Sequence, residues 1–493
     1  MRVAFAAVLL AALSLRADEV RFRLERRFPA PRGALENLWA GDEWAFFNRW
    51  SFSAGRFRAV FLTEKDPGEE WGDLAAGGLS WTGNRRVSSL AGGYLRLRSA
   101  LGLTGDHGGF SVGGGPLSLA RPPVHREVLE PAASPGDCDG EPMTGAGAVF
   151  RWGGTGLTVL QGLSRVDPSG DGLHRSAVEL LRRGSVEESF TFARLSARRF
   201  GLSGALIRRT GDSSTVSGRA GFDMRLAGDR RGLTGEVCAG FEGGRVFTAF
   251  LAGIHGDFGS FRHALTLGRY PPGFPSERSS RPFGCSHDLA AGYGIRWRAG
   301  RRCTLTSGIS VMQRSDDTVT EAGLQGEETP LPRTSLVQKL TVSSSGEGTV
   351  YRGTAGAAWN PGGRTSLTLR LPGCAASEGG TTLLGAGAEF RVSHRLAGSL
   401  EVTAAAAAAD TEGYASRVYA YRLSFPGEFG SCALYGKCTL LQASLSVEPA
   451  RGWRLRLRIS RFHGYGRESL GSGYEQTAGP SRTDAGLQLD WKP

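Results

Sequence analysis

Trp453-Arg454-Leu455-Arg456-Leu457-Arg458-Ile459-Ser460 is the stretch whose reading decides the fold. Every second side chain is large and apolar, and every one between is cationic or hydroxylic. In an extended strand, successive side chains point to opposite faces. This segment is therefore a strand with one apolar and one charged face, a pattern no helical period of 3.6 reproduces.

The same alternation recurs along the chain. Phe22 and Leu24 alternate with Arg21 and Arg23, Leu95 and Leu97 with Arg96 and Arg98, Ile295 and Trp297 with Arg296 and Arg298, and Leu367, Leu369 and Leu371 with Thr368 and Arg370. Turn signals separate these runs, among them Asp66-Pro67-Gly68, Asp167-Pro168, Gly243-Gly244 and Pro361-Gly362-Gly363. The spacing predicts roughly 22 to 24 strands, an even count in the range of bacterial transmembrane barrels. Many runs reach the length of ~10 residues that crosses a bilayer at a tilt. A soluble sandwich or propeller also alternates, but its core carries more large hydrophobes than these Gly- and Ala-rich apolar faces. A solenoid needs a fixed-length repeat, and none is visible. The expected fold class is all-β: a single large antiparallel transmembrane β-barrel with long external loops.

The two ends fit that expectation. Arg2, the apolar run Val3 to Leu13 and the small residues after it read as an export signal over residues 1–17, with a cut after Ser14 or Ala17. The barrel then spans 18–493. At the other end Leu487, Leu489 and Trp491 alternate with Gly486, Gln488 and Asp490. This resembles the closing strand of outer-membrane barrels, which pairs with the first strand so that no edge is left unpaired in lipid. The expected location is the outer membrane of a Gram-negative-type bacterium. The partners this implies are outer-membrane lipid and the barrel-assembly machinery.

Three segments interrupt the rhythm. Thr104 to Thr144 is rich in Gly and Pro and reads as a long external loop or an inward plug. Pro271 to Ser286 and the polar, acidic Ser315 to Pro332 read as external loops. Seven cysteines are scattered without a CxxC pair, so neither a zinc nor a redox site is indicated. Cys432 with Cys438 is a candidate disulfide, set against isolated small side chains on strands.

Several stretches together resemble one family, the outer-membrane β-barrel portion of bacterial helix-hairpin-helix (competence-type) proteins. They are Asn48-Arg49 with Thr63-Glu64-Lys65-Asp66-Pro67-Gly68-Glu69; Gly93-Tyr94 with Gly102-Leu103; Gly172-Leu173-His174-Arg175-Ser176 with Glu179-Leu180; Gly235-Glu236-Val237 with Arg269-Tyr270-Pro271-Pro272-Gly273-Phe274; and Gly471-Ser472-Gly473-Tyr474-Glu475 leading to Gln488. The resemblance implies the same barrel, with Asn48, Arg49, Glu64, Lys65, Asp66, Gly172, His174, Arg175, Glu179 and Gly473 in structural roles. It implies little about activity. No helix-hairpin-helix pair is visible, so a nucleic-acid partner is not expected.

Chemistry-bearing residues are sparse. His174 and Ser176 have the spacing of a barrel-embedded lipid hydrolase, in which imidazole activates serine, but a hydrogen-bonding role between loop and barrel accounts for them as well. Glu64, Asp66, Glu69 and Glu70 offer oxygens for calcium or form a solvated turn around Lys65. There is no phosphate loop and no metal-ligand spacing. The chain is not read as an enzyme, and no catalytic residue, cofactor or metal is assigned.

Arginine is the stronger lead. The formal net charge is +12, and lysine occurs only at 65, 339, 437 and 492. If the apolar faces meet lipid, Arg96, Arg98, Arg296, Arg298, Arg454, Arg456 and Arg458 face the lumen. They would then either favour a small anionic solute in a pore or pair with Glu236, Glu389, Glu401 and Asp490 to knit the interior. The functional expectation is an outer-membrane channel or envelope scaffold favouring anions. The second reading is a plugged barrel that docks an envelope protein partner or surface machinery.

Overall fold

The computed structural model describes residues 17–493 apart from 85, 105, 108–115, 121–125, 133–142, 167–175, 177–183, 212–213, 229, 276–286, 316 and 429. The wall is a closed antiparallel β-barrel of 24 strands. Strand lengths run from 9 residues at Phe57–Lys65 to 17 at Thr381–Ala397. The last strand, Ser481–Trp491, pairs with the first, Ala17–Phe28, so that Val20 lies opposite Trp491, Phe22 opposite Leu489 and Leu24 opposite Leu487. Antiparallel closure requires the first and last strands to run in opposite directions, which only an even strand count allows.

Register fixes the two faces. Along Trp453–Gly464, Leu455, Leu457 and Ile459 stand opposite Leu489, Leu487 and Ala485, while Arg454, Arg456 and Arg458 stand opposite Asp490, Gln488 and Gly486. The apolar set is the outer belt: Leu79, Leu202 and Leu441 are 64%, 59% and 55% exposed. In water each such side chain would forfeit about 1.5–3 kcal/mol of burial. In a bilayer the belt is satisfied by lipid, and this makes the wall a transmembrane barrel of the outer-membrane type.

The ends differ. One carries both termini and short turns such as Gly55-Arg56, Gly153-Gly154 and Arg451-Gly452; the other carries the long connections. Ser315 to Pro332 is not a loop. It contains the wall strand Thr318–Glu328. Leu324 is the only large apolar residue on its lipid face, while Glu321, Gln325 and Glu327 sit on the lumen face, so the apolar half of the alternation is too faint to read.

Two long connections turn inward and lie on the lumen face. The strand Val87–Ala100 stays in the wall only through Tyr94, pairing with Thr144–Trp152. It then pairs Leu95 to Ala100 with an inner strand, Arg126–Pro131. Gly93 makes the departure: its φ is +96°, and a Cβ there would lie 2.3 Å from the Gly77 carbonyl oxygen, so only glycine fits the bend. Beyond it, a 3-10 turn at Pro116–Ala120 rests on the wall at Gly308, where an added Cβ would meet the Pro116 oxygen at 1.8 Å. The second insert carries an inner hairpin, Val418–Tyr421 with Ser431–Leu434.

Candidate functional site

The lumen face divides into a closing sector, two sectors covered by the inserts, and an open sector. In the closing sector the predicted arginines are bound to carboxylates. Asp490 is shared by Arg21, at 2.7 Å, and Arg456, and Gln488 Nε2 also donates to it. Arg458, with a side chain 4% exposed, joins Glu25 and Glu428 and donates to the Leu423 carbonyl at 3.0 Å. Arg23 reaches the same Glu428 at 3.0 Å. Arg454 lies near the strand end, half exposed, 3.3 Å from Glu448. These cations knit the barrel seam from inside.

Arg96 and Arg98 stand elsewhere than the alternation implied. Leu95 and Leu97 face the wall, not lipid. They are buried in a cluster with Leu129, Leu160, Phe190, Phe192 and Ile207, because the chain has already left the wall at Gly93. Arg96 and Arg98 therefore sit on the opposite face of the insert, with Arg96 3.9 Å from Glu130. Arg296 and Arg298 do sit on the wall's lumen face, and among the described residues no ion pair joins either to a carboxylate. Arg296 lies across from Arg262, which is taken by Asp257.

The first insert is pinned at two places. Glu236, on the wall strand Arg231–Glu242, accepts from the backbone N–H of Leu101 at 2.9 Å, Leu103 at 3.2 Å and Thr104 at 2.9 Å, and from the Thr104 hydroxyl at 2.8 Å. Around it, Leu103, Cys238, Ala249, Tyr270 and Phe274 form one apolar cluster. Glu236 thus holds backbone donors rather than an arginine. The second pin is Glu127 of the insert, which accepts from Thr158 at 2.7 Å and meets Arg194 at 3.4 Å; Arg194 is also bound to Asp223 at 2.8 Å, with both side chains 2% exposed. Glu236 was the legible half, since a carboxylate on a lumen face demands a partner; the partner was not.

The second insert explains the alanine run. Ala405, Ala407 and Ala409 face inward and are buried, while Ala404, Ala406 and Ala408 face lipid. The small inward set lets Val418, Ala420 and Leu434 pack close to the wall, with Cys374, Cys438 and Leu440. Gln442 bridges to the insert, donating to the Tyr421 carbonyl at 3.0 Å and accepting from the Leu423 N–H at 2.8 Å. Cys432 and Cys438 are free thiols here. The former is on the hairpin and the latter on the wall, packed in the same apolar cluster instead of bonded.

Between the inserts lies a cavity of about 490 Å³. It is lined by Lys339, Arg352, Arg370 and Arg417 together with hydroxyl side chains, and it contains no carboxylate among its lining residues. Arg370 is bound to Glu389 at 2.7 Å and stacks on Tyr421, 3.9 Å from the ring centroid. Arg417 donates to the Tyr419 hydroxyl at 2.9 Å and to the Tyr414 carbonyl at 3.0 Å. Among the described residues, Lys339 and Arg352 have no ion-pair partner, and the buried Arg352 Nε has no hydrogen-bond acceptor. None of these four was singled out beforehand as a lumen cation. Lys339 and Arg417 lie outside any strongly alternating stretch, and Arg352 has Tyr351 before it but Gly353 after it, so the apolar side of the alternation stops there.

The residues carried over from the family resemblance are dispersed. Asn48 is buried on the outward face opposite Phe22, and Arg49 faces the lumen, 3.8 Å from Glu19. Glu64 faces the lumen opposite Phe47. Lys65 is fully buried, donating to Asp42 Oδ1 at 2.8 Å and to the Trp44 carbonyl at 2.7 Å. The Asp66 N–H donates to Glu69 at 2.9 Å. Burial disfavours the charge on Asp42, but hydrogen bonds from Lys65, the Trp44 N–H and Trp71 outweigh it and hold its carboxyl below the usual range. Asp42 thus serves Lys65 and Glu69 its own turn, and among the described residues no group of three or more candidate metal ligands converges. Gly473 adopts a positive φ of 58° in a loop whose Glu475 pairs with Arg27. Ser176 is buried; Gly172, His174, Arg175 and Glu179 lie outside the described residues, as does the signal segment through residue 16. In the closing strand Leu487, Leu489 and Trp491 are on the lipid face, Trp491 stacked on Trp453 with centroids 5.5 Å apart.

Solved structures of similar shape are outer-membrane barrels. The FrpB iron transporter from Neisseria meningitidis (F5-1 variant, apoprotein form) aligns over 98% of this chain and 82% of its own, at 8% identity and a TM-score of 0.45. A mutant of the ferric enterobactin receptor PfeA from Pseudomonas aeruginosa aligns over 96% and 80%, at 8% identity and 0.46. An anion-selective porin from Comamonas acidovorans aligns over 62% and 99%, at 12% identity and 0.34. No family model matches the chain, and no curated protein sequence matches it.

Proposed function

We propose that this protein is an outer-membrane channel with a narrowed, insert-lined lumen that favours anions. One observation carries the reading. The sector between the second insert and the wall bears Lys339 and Arg352 without carboxylate partners among the described residues, beside Arg370 and the insert's Arg417. Most other lumen cations treated above are locked to acids. Cationic side chains around a water-filled constriction lower the barrier to anions and raise it to cations. Reconstitution into a planar bilayer across a potassium chloride gradient tests this: the reversal potential is expected on the chloride side. No conductance step, or a cation preference, overturns it.

The pinning of the first insert by Glu236 and Glu127 favours a second reading, a closed barrel that presents a docking platform to an envelope partner. That reading predicts a silent bilayer with wild-type protein. No hydrolytic role is proposed for Ser176. Kinship with the barrel portion of helix-hairpin-helix proteins remains a proposal resting on the residues quoted above, as does export by a cleaved signal. N-terminal sequencing of the mature protein, with a start at residue 15 or 18 expected, tests the latter.

A further inference from the structure

We infer that the open sector holds a binding site for an oxyanion carried on a polyhydroxylated solute, the chemistry of a sugar phosphate or a sugar acid. This rests on the anion-channel reading and sharpens it from a general preference to a defined subsite.

The cavity lies between the inner strand Val418–Tyr421 and the wall strands Thr334–Ser345, Gly348–Trp359 and Thr365–Glu378. Its volume of about 490 Å³ is that of a cleft for a small organic molecule, within the usual range of roughly 300–1,000 Å³. A bare ion needs far less. The cations are not equivalent. Arg370 is oriented by Glu389 and Tyr421, and Arg417 by Tyr414 and Tyr419, so both are held in place before any ligand arrives. Arg352 and Lys339 carry the unmet charge, on lumen-facing positions of adjacent strands, Lys339 opposite Thr354 and Arg352 opposite Thr341. The Arg352 Nε–H is buried and lacks an acceptor. An oxyanion supplies what these two groups lack, through charge-assisted hydrogen bonds that guanidinium makes especially well.

The rest of the lining argues for the carrier. Ser335, Thr341, Thr354 and Thr368 place hydroxyls on the lumen face of the same strands, spread over three strands, a surface that can exchange hydrogen bonds with a polyol larger than one inorganic ion. A second basic recess, beside Arg151, Arg198 and Arg225, differs in kind: Asp223 and Glu127 line it and already hold Arg194.

The test uses the full-length barrel refolded in detergent. Glucose 6-phosphate, glucuronate, inorganic phosphate and glucose are titrated by calorimetry, and the two charged sugars are then tried as blockers of single-channel current. Either charged sugar is expected to bind at least about tenfold tighter than phosphate or glucose, and the tighter of the two separates phosphate from carboxylate recognition. Lys339→Gln and Arg352→Gln should each weaken binding by about tenfold, the weight of one charge-assisted contact; Arg454→Gln, at the rim, should leave it unchanged. Heat-modifiable migration verifies that each variant is a folded barrel. If no anionic probe saturates, or inorganic phosphate equals glucose 6-phosphate, the inference is overturned. Wild-type anion selectivity without sugar binding sinks the subsite and leaves the channel standing. Saturable sugar binding by a barrel that passes no current sinks the channel and leaves the subsite.

Discussion

Glu236 and Thr104 are joined by two hydrogen bonds, one from the Thr104 N–H at 2.9 Å and one from its hydroxyl at 2.8 Å, both to the same carboxylate oxygen. One residue belongs to the wall and the other to the insert. The carboxylate does for the turn Leu101–Thr104 what a bound anion does for a cluster of backbone donors. It satisfies them where water is excluded, so breaking the contact leaves both sides unmatched.

Glu236→Ala should therefore free the insert without opening the wall. The expected loss is about 3 kcal/mol of local stability, the scale of charged hydrogen bonds removed at a buried site. Limited proteolysis checks it. New cleavage between Leu95 and Ala132 is expected, with the wall still migrating as a folded barrel. Cleavage as slow as in the wild type would show that Glu127 and the apolar contacts suffice.

Reversing charge in the open sector should change selectivity, whereas removing it at the rim should not. The double variant Lys339→Glu with Arg352→Glu is expected to cut the anion-to-cation permeability ratio at least about fivefold, the weight of one ~1 kcal/mol interaction across water. Arg454→Gln should leave the reversal potential unmoved. Equal shifts from both would place the selective constriction outside the open sector.

Asp42 and Lys65 should give the long-loop end of the barrel an acid-labile clasp. The Asp42 carboxyl is held below its usual range in the folded protein. Its contribution is therefore present above the ordinary aspartate value of about 3.9 and is lost as pH falls through the folded value. Protection of the loop around Trp39 to Trp44 against hydrogen exchange, taken relative to the intrinsic rate at each pH, should fall in wild type below about pH 4. In Asp42→Asn protection should already be low at neutral pH. Protection that stays constant with pH in the wild type would contradict this.

Leu487→Arg should impair barrel formation while Gln488→Ala leaves a folded barrel, although the two positions are adjacent. Leu487 faces lipid in the middle of the closing strand, where an arginine costs about 2–4 kcal/mol. Gln488 faces the lumen and donates to Asp490. Heat-modifiable migration after refolding into lipid vesicles measures the difference. Comparable yields from both would mean that the closing strand's faces are assigned the wrong way round.

Much of this was legible in the chain because strand alternation is local: Trp453 to Ser460 announces one apolar and one cationic face whatever the rest of the protein does. The closing role of Leu487, Leu489 and Trp491 reads from position and pattern together. Where one face loses its contrast, as in Thr318–Glu328, the reading fails. It fails again at Leu95 and Leu97, whose alternation is real but belongs to an inner strand, because a two-residue period says that there are two faces and not which surroundings each face meets.

By itself, then, the sequence determined an antiparallel barrel wall with an apolar exterior and a cationic interior, since period two and apolar content act over a few residues. Only the tertiary structure decided which cations remain available. Arg456 finds Asp490 and Arg458 finds Glu428, each some thirty residues away, and Arg458 also finds Glu25, 433 residues away across the barrel closure, whereas Lys339 and Arg352 have no ion-pair partner among the described residues. Charge pairing is a matter of distances of a few ångströms, and those are set by barrel closure and the inward fold of the loops.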